Sequence, residues 1–220
     1  MAQKRVVLEE GILKSNDLLA QKVREDLRRR RILVTNLLSS PGAGKTALLE
    51  ALAQNLGPQM AVIVGDVQTR RDAERLEQHG IQAVQIVTGG TCHLEARMVL
   101  RALEELQGTP RYLFIENVGN LVCPAGFDLG EQQRWVLLST PEGDDKPLKY
   151  PEAFLTSHVL VITKMDLVPH VPFDVDQAEA YARSLNPRLR IFRTSVMTGE
   201  GLEALLAHLE HTYRSLFPDA

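Results

Sequence analysis

Long apolar runs are missing from this chain. None reaches the roughly 20 residues that a membrane-spanning helix needs, and the N-terminus carries no signal-peptide core. We therefore expect a cytoplasmic protein with no membrane partner. Cysteine is scarce, with two among 220 residues, and in a cytoplasmic compartment that favours thiols or metal ligands over a disulfide. Cys92 and Cys123 are left as buried thiols or metal ligands. Charge of one sign is also lacking. With 25 Lys and Arg against 28 Asp and Glu, the net charge is −3, and no global field draws the chain to nucleic acid. The one basic run, Arg28 to Arg31, follows the pattern Leu18, Leu19, Val23, Leu27 and reads as a solvated helix C-terminus. Repeats, low-complexity tracts and long linkers are absent.

What is present is an alternation of apolar runs and amphipathic stretches. The runs predict strands over 32–38, 60–65, 83–87, 111–116, 134–138, 158–163 and 190–194. Helices are predicted over 45–56, 70–79, 93–107, 174–185 and 201–216, with an N-terminal helix over 8–30 capped by Ser15 or Asn16. Such strands suit a sheet covered on both faces. The fold class is therefore α/β, a mostly parallel sheet of about seven strands flanked by helices. We divide the chain into a helical extension, 1–30, and a nucleotide-binding domain, 31–220. The stretch from Asn117 to Pro151 is the least regular, and its part from Pro141 onward reads as a loop.

The first strand leads into Ser39-Ser40-Pro41-Gly42-Ala43-Gly44-Lys45-Thr46. Strand, glycine-rich turn and helix in that order are what a phosphate-binding loop requires. Pro41, Gly42, Ala43 and Gly44 bring backbone N–H groups to phosphate oxygens, Lys45 neutralises the β- and γ-phosphates, and Thr46 holds Mg²⁺. Ser39 stands where the usual pattern has glycine. A late strand ends in Thr163-Lys164-Met165-Asp166. Guanine presents two N–H donors on one edge, which the Asp166 carboxylate can accept together. The Lys164 stem would cover the base, and Thr163 replaces the Asn usual at that place. Thr194-Ser195-Val196 follows another strand, so Ser195 and Val196 can offer N–H groups to the guanine carbonyl. Glu116 closes an apolar strand and is a candidate Mg²⁺-side carboxylate, with Gly119 able to approach the γ-phosphate. Asp66 is a second acidic strand end. Asp66 and Gln68 are both candidates for orienting the attacking water. An ATP-using small-molecule kinase is an alternative reading of the phosphate loop, against which Asp166 speaks.

Cys92 and His93 follow Gly89-Gly90 and are expected to open a helix, where the helix terminus would lower the thiol pKa. Thiolate with imidazole suits Zn²⁺ or Ni²⁺. Cys92, His93 and Cys123 make three ligands, so the site is open, completed by water, or shared across a dimer. His208 and His211 read as a solvated surface pair.

These segments carry a family resemblance. The phosphate loop, Gly65 to Ala73, Cys92-His93-Leu94-Glu95-Ala96, Glu116 to Pro124, Asp145 to Pro151 and Thr163 to Asp166 together resemble the hydrogenase nickel-incorporation accessory GTPases (HypB). These lie within the dimerisation-dependent P-loop GTPases that include the urease accessory GTPase. The urease relative has a Cys-Pro-His triplet, which this chain lacks. The resemblance implies Mg²⁺-dependent GTP hydrolysis, with Lys45, Asp66 and Glu116 in catalysis and Thr46, Asp66 and Glu116 around magnesium. It implies a homodimer with Cys92, His93 and Cys123 as nickel or zinc ligands at its interface. It further implies two partners, a small zinc-containing nickel chaperone and the precursor of the large subunit of a [NiFe] hydrogenase. A urease-type nickel accessory GTPase is the nearest alternative. Residues 1–30 hold neither a cysteine cluster nor a histidine-rich stretch for nickel storage.

Overall fold

A computed structural model describes residues 2–66 and 71–219 of the protein. Gln68, the second candidate for positioning water, lies outside the described residues, as do its neighbours Val67, Thr69 and Arg70. Among the described residues one sheet holds seven strands: β1 (Leu33–Ser39), β2 (Met60–Asp66), β3 (Gln82–Val87), β4 (Tyr112–Glu116), β5 (Gln133–Ser139), β6 (Val159–Thr163) and β7 (Arg190–Arg193). Their order is β3-β2-β4-β1-β5-β6-β7, and every pairing is parallel. Each predicted strand is present to within a residue at either end. The four strands β1, β4, β5 and β6 read as apolar runs because helices cover both faces, and nearly every residue in them is buried.

The helices are α1 (Ala2–Arg29), α2 (Lys45–Leu56), α3 (Arg71–Gln78), α4 (Ala96–Glu105), α5 (Lys146–Lys149), α6 (Pro151–Leu155), α7 (Val175–Leu185) and α8 (Leu202–Leu216). One face of the sheet packs Leu37, Phe114 and Trp135 against Leu48, Leu49 and Leu52 of α2 and Leu205 and Leu209 of α8. The opposite face buries Val23 and Leu27 of α1 together with Val99 and Leu103 of α4.

Three expectations change. The N-terminal helix starts well before Ser15 and Asn16, so neither caps it. Asn16 is buried mid-helix, donating from Nδ2 to the Asp128 carbonyl (2.8 Å) and accepting at Oδ1 from the Ala96 N–H (2.9 Å). The helix predicted from residue 93 begins at Ala96, leaving Cys92 and His93 in a turn. The segment read as loop from Pro141 to Pro151 contains the short helix α5 and ends where α6 begins. It is entered through a Ser139–Glu142 capping box in which Ser139 Oγ donates to Glu142 (2.6 Å).

Candidate functional site

The loop after β1 takes its shape from two glycines. Gly42 (φ 76°) and Gly44 (φ 96°) both adopt left-handed backbone that a side chain would strain. The chain can then turn sharply and start α2 at Lys45. Lys45 is buried, and its Nζ donates to Ser39 Oγ at 3.0 Å. The serine that replaces the usual glycine thus supplies an acceptor for the lysine. Burial pushes the Lys45 ammonium below its ordinary pKa, while Glu116 opposes that shift.

Around this loop lies a cavity of about 510 Å³, lined by Gly42 and Gly44 to Thr46, by Asp66 at the end of β2, and by Glu116 to Gly119 after β4. The carboxyl ends of neighbouring strands therefore meet at one rim, as the parallel topology requires. Thr46 Oγ1 donates to Glu116 Oε1 at 2.8 Å. Glu116 Oε2 is buried and has no hydrogen-bond partner. Desolvation raises the Glu116 pKa to about 7, against the pull of Lys45. A buried carboxylate with an orphaned oxygen beside a hydroxyl is an all-oxygen donor set, which fits Mg²⁺. Asp72 and Arg75, on α3, also line this cavity, and sequence reasoning gave them no role. Arg75 is committed to Glu50, Nη2 to Oε2 at 2.7 Å.

The guanine-side segment is tied to the same loop. Lys164 Nζ donates to the Gly42 carbonyl (2.7 Å) and Thr163 Oγ1 to the Ala43 carbonyl (2.7 Å). A threonine hydroxyl thus meets the phosphate loop where Asn was expected. Lys164 itself sits in left-handed backbone (φ 60°), with its carbonyl accepting from Thr140 Oγ1. This turn aims Asp166 at the strand end, where Ser195 Oγ donates to its Oδ1 at 2.5 Å. The Ser195 N–H goes to the Glu200 carbonyl. Ser195 therefore meets Asp166 through its hydroxyl rather than offering an N–H to a base.

Cys92 and Cys123 come together from the loops after β3 and β4. A hydrogen bond between the two thiols raises the Cys92 pKa, the opposite of the lowering expected from a helix terminus. The reason is that α4 starts four residues later. Cys92 Sγ lies 3.8 Å from His93 Nδ1, and the His93 ring stacks on Phe127 with centroids 3.9 Å apart. Among the described residues, no cluster of three or more His, Cys, Asp or Glu is placed to hold a metal within one chain. His208 departs from the expected surface pair. It is buried on α8 between the Trp135 and Phe192 rings.

Residues 33–193 match the family described as "CobW/HypB/UreG, nucleotide-binding domain". The chain is 48 % identical over 214 residues to the hydrogenase maturation factor HypB of Azotobacter chroococcum, covering 96 % of this chain and 70 % of that protein. The HypB of Escherichia coli K12 is 45 % identical over the same share of this chain and 74 % of its own. The chain belongs to the HypB hydrogenase maturation factors. The crystal structure of Helicobacter pylori HypB in complex with nickel superposes with a TM-score of 0.89 at 41 % identity, over 91 % of this chain and 96 % of that one. HypB from Archaeoglobus fulgidus gives 0.86 at 39 %, over 91 % and 100 %. The parallel sheet, helices on both faces and leading helix thus match those two HypB structures. No helix among the described residues is long and apolar enough to cross a membrane.

Proposed function

We propose that this HypB protein is a Mg²⁺-dependent GTPase that works as a homodimer. It binds nickel, and delivers it during maturation of a [NiFe] hydrogenase. The observation that carries the reading is the pair of hydrogen bonds from Thr163 and Lys164 to the carbonyls of Ala43 and Gly42. They lock a base-reading carboxylate, Asp166, to the phosphate loop at fixed separation.

In this mechanism Lys45 and the N–H groups of residues 41–46 bind the β- and γ-phosphates. Asp166 accepts the two guanine N–H groups, the Lys164 stem covers the ring, and the Val196 N–H takes the guanine carbonyl. Thr46, Asp66 and Glu116 hold the magnesium ion, which when bound supplies positive charge to the phosphate oxygens. Asp66 orients water toward the γ-phosphorus. Attack forms one P–O bond and breaks the bond to the β–γ bridging oxygen, releasing GDP and inorganic phosphate. Turnover without a partner is slow, because Arg75, the arginine at the described cavity, is paired with Glu50.

Nickel is the cargo. Cys92, His93 and Cys123 hold it, or zinc, at the interface with a second copy of the chain, since three ligands do not close a cage in one copy. A small zinc-containing nickel chaperone and the hydrogenase large-subunit precursor are the partners. The name and bound metal of the H. pylori relative support this reading.

Replacement of Asp166 by Asn tests the nucleotide half. Exchanging the acceptor carboxylate for an amide shifts preference from GTP to XTP, read as kcat/KM for each. Unchanged use of GTP would remove guanine recognition from the account.

A further inference from the structure

We propose that the cavity at the amino ends of β5, β6 and β7 binds a small molecule bearing a phosphoryl or carboxylate group. This cavity measures about 570 Å³, a size typical of small-molecule sites. It opens at the opposite end of the sheet from the phosphate loop, so it is separate from the nucleotide site. Arg188 and Arg190 stand in its wall beside His158, His208 and His211, and its lining contains no Asp or Glu. Neither arginine has a carboxylate partner among the described residues, although most other guanidinium groups near the sheet are paired.

One of the two arginines fixes the tautomer of His208 in this wall. Arg190 Nη1 lies 3.3 Å from His208 Nδ1. A guanidinium only donates, so Nδ1 accepts and the ring proton sits on Nε2. That nitrogen is buried without a hydrogen-bond partner, in a side chain only 8 % exposed. Desolvation and the positive charge of Arg190 keep the imidazole neutral. Gln132, in the same wall, accepts at Oε1 from the Val34 N–H (2.6 Å), and its Nε2 is buried without a partner. Two guanidinium groups without a carboxylate partner, in a concave wall that contains no Asp or Glu, form a receptor for oxyanions. A nucleic acid would need a longer basic stripe than two arginines supply.

The test uses the full chain saturated with Mg²⁺ and GDP, so that the phosphate loop is occupied. Inorganic pyrophosphate and citrate are then titrated by calorimetry while the histidine ring signals are followed by NMR. Saturable binding of either probe that moves the His208 and His211 signals is expected. The Arg188→Ala/Arg190→Ala double variant weakens it about tenfold or more, with GDP affinity unchanged. Thr212→Glu, which places a carboxylate in the wall from α8, gives the same loss and covers the case in which the double variant fails to fold. No saturation at millimolar probe, or binding indifferent to both variants, overturns the proposal. Binding of heparin without binding of either small anion overturns it in favour of a polyanionic macromolecule.

Discussion

Asp166 does its proposed work only if its carboxylate is held still, and one hydroxyl holds it. Ser195 Oγ is the hydrogen-bond donor to Oδ1. Hydrogen bonds to charged groups contribute about 1.5–3 kcal/mol, so Ser195→Ala should weaken GDP binding by about tenfold or more. Fluorescent-GDP titration against the parent chain measures this, and an unchanged affinity would show that Asp166 needs no such support. His208 carries a second residue-scale expectation. Burial, then Arg190, His211 and His158, depress its pKa from the ordinary 6.5 to about 4. On acidification the unfolded chain therefore takes up the proton first. The stability this neutral ring contributes is complete above about pH 6.5 and is lost as pH falls toward 4. The loss is on the order of 2–3 kcal/mol at pH 4. Urea midpoints across that range should fall more steeply for the parent than for His208→Gln; parallel curves would refute the shift. The burial was legible in outline, because His208 lies three residues after Leu205 and beside Leu209 on the core face of α8. The i, i+3 spacing of His208 and His211 drew attention to the pair instead of to that face.

At the scale of elements, doubly covered strands announce themselves because most positions in them are apolar, without the alternation of a half-exposed strand. All seven could be placed from sequence for that reason, with β3 and β7 weaker since edge strands expose residues. The turn carrying Cys92 and His93 could not be placed. It contains neither glycine nor proline after Gly90, so the helical period of α4 extends backward through it without interruption. Tertiary contacts decide otherwise: Leu94 is fully buried, and α1 reaches the adjoining N–H. Asn16 of α1 ties Ala96, just after the Cys92 turn, to Asp128, shortly after Cys123. One side chain thus braces both thiol-bearing loops, with Arg24 of α1 adding an ion pair to Asp128. Asn16→Ala leaves the Ala96 N–H and the Asp128 carbonyl without these partners, at a cost of about 1–3 kcal/mol. It should lower the thermal midpoint and weaken nickel binding while sparing GDP affinity. A variant as stable as the parent would mean that water replaces both bonds.

Across the whole molecule, the proposed function requires that a triphosphate at one loop be felt by thiols at another. Asp66 lines the nucleotide cavity, and its neighbour Gly65 has no side chain for a concrete reason. A Cβ there would sit 2.8 Å from the Leu94 side chain. Leu94 directly follows His93, so the end of β2 packs against the residue next to the Cys92–His93 turn. Any movement of Asp66 when GTP and magnesium bind pushes on that contact. The two nucleotide states then differ in nickel affinity only to the extent that this packing differs between them. Coupling free energies of this kind are typically about 1–3 kcal/mol, or roughly 5- to 150-fold. Leu94→Ala removes the transmitting side chain but none of the proposed ligands. Nickel should be titrated into parent and variant with GDP and with a slowly hydrolysed GTP analogue. The parent should show a nucleotide-dependent ratio of affinities, and the variant a ratio near one with nickel still bound. The variant loses stability as well, by about 2–5 kcal/mol for a buried leucine, so unfolding curves must first establish that it is folded at the titration temperature. A folded variant that kept the full ratio would place the coupling elsewhere, with the loop after β4 that joins Glu116 to Cys123 as the remaining covalent route.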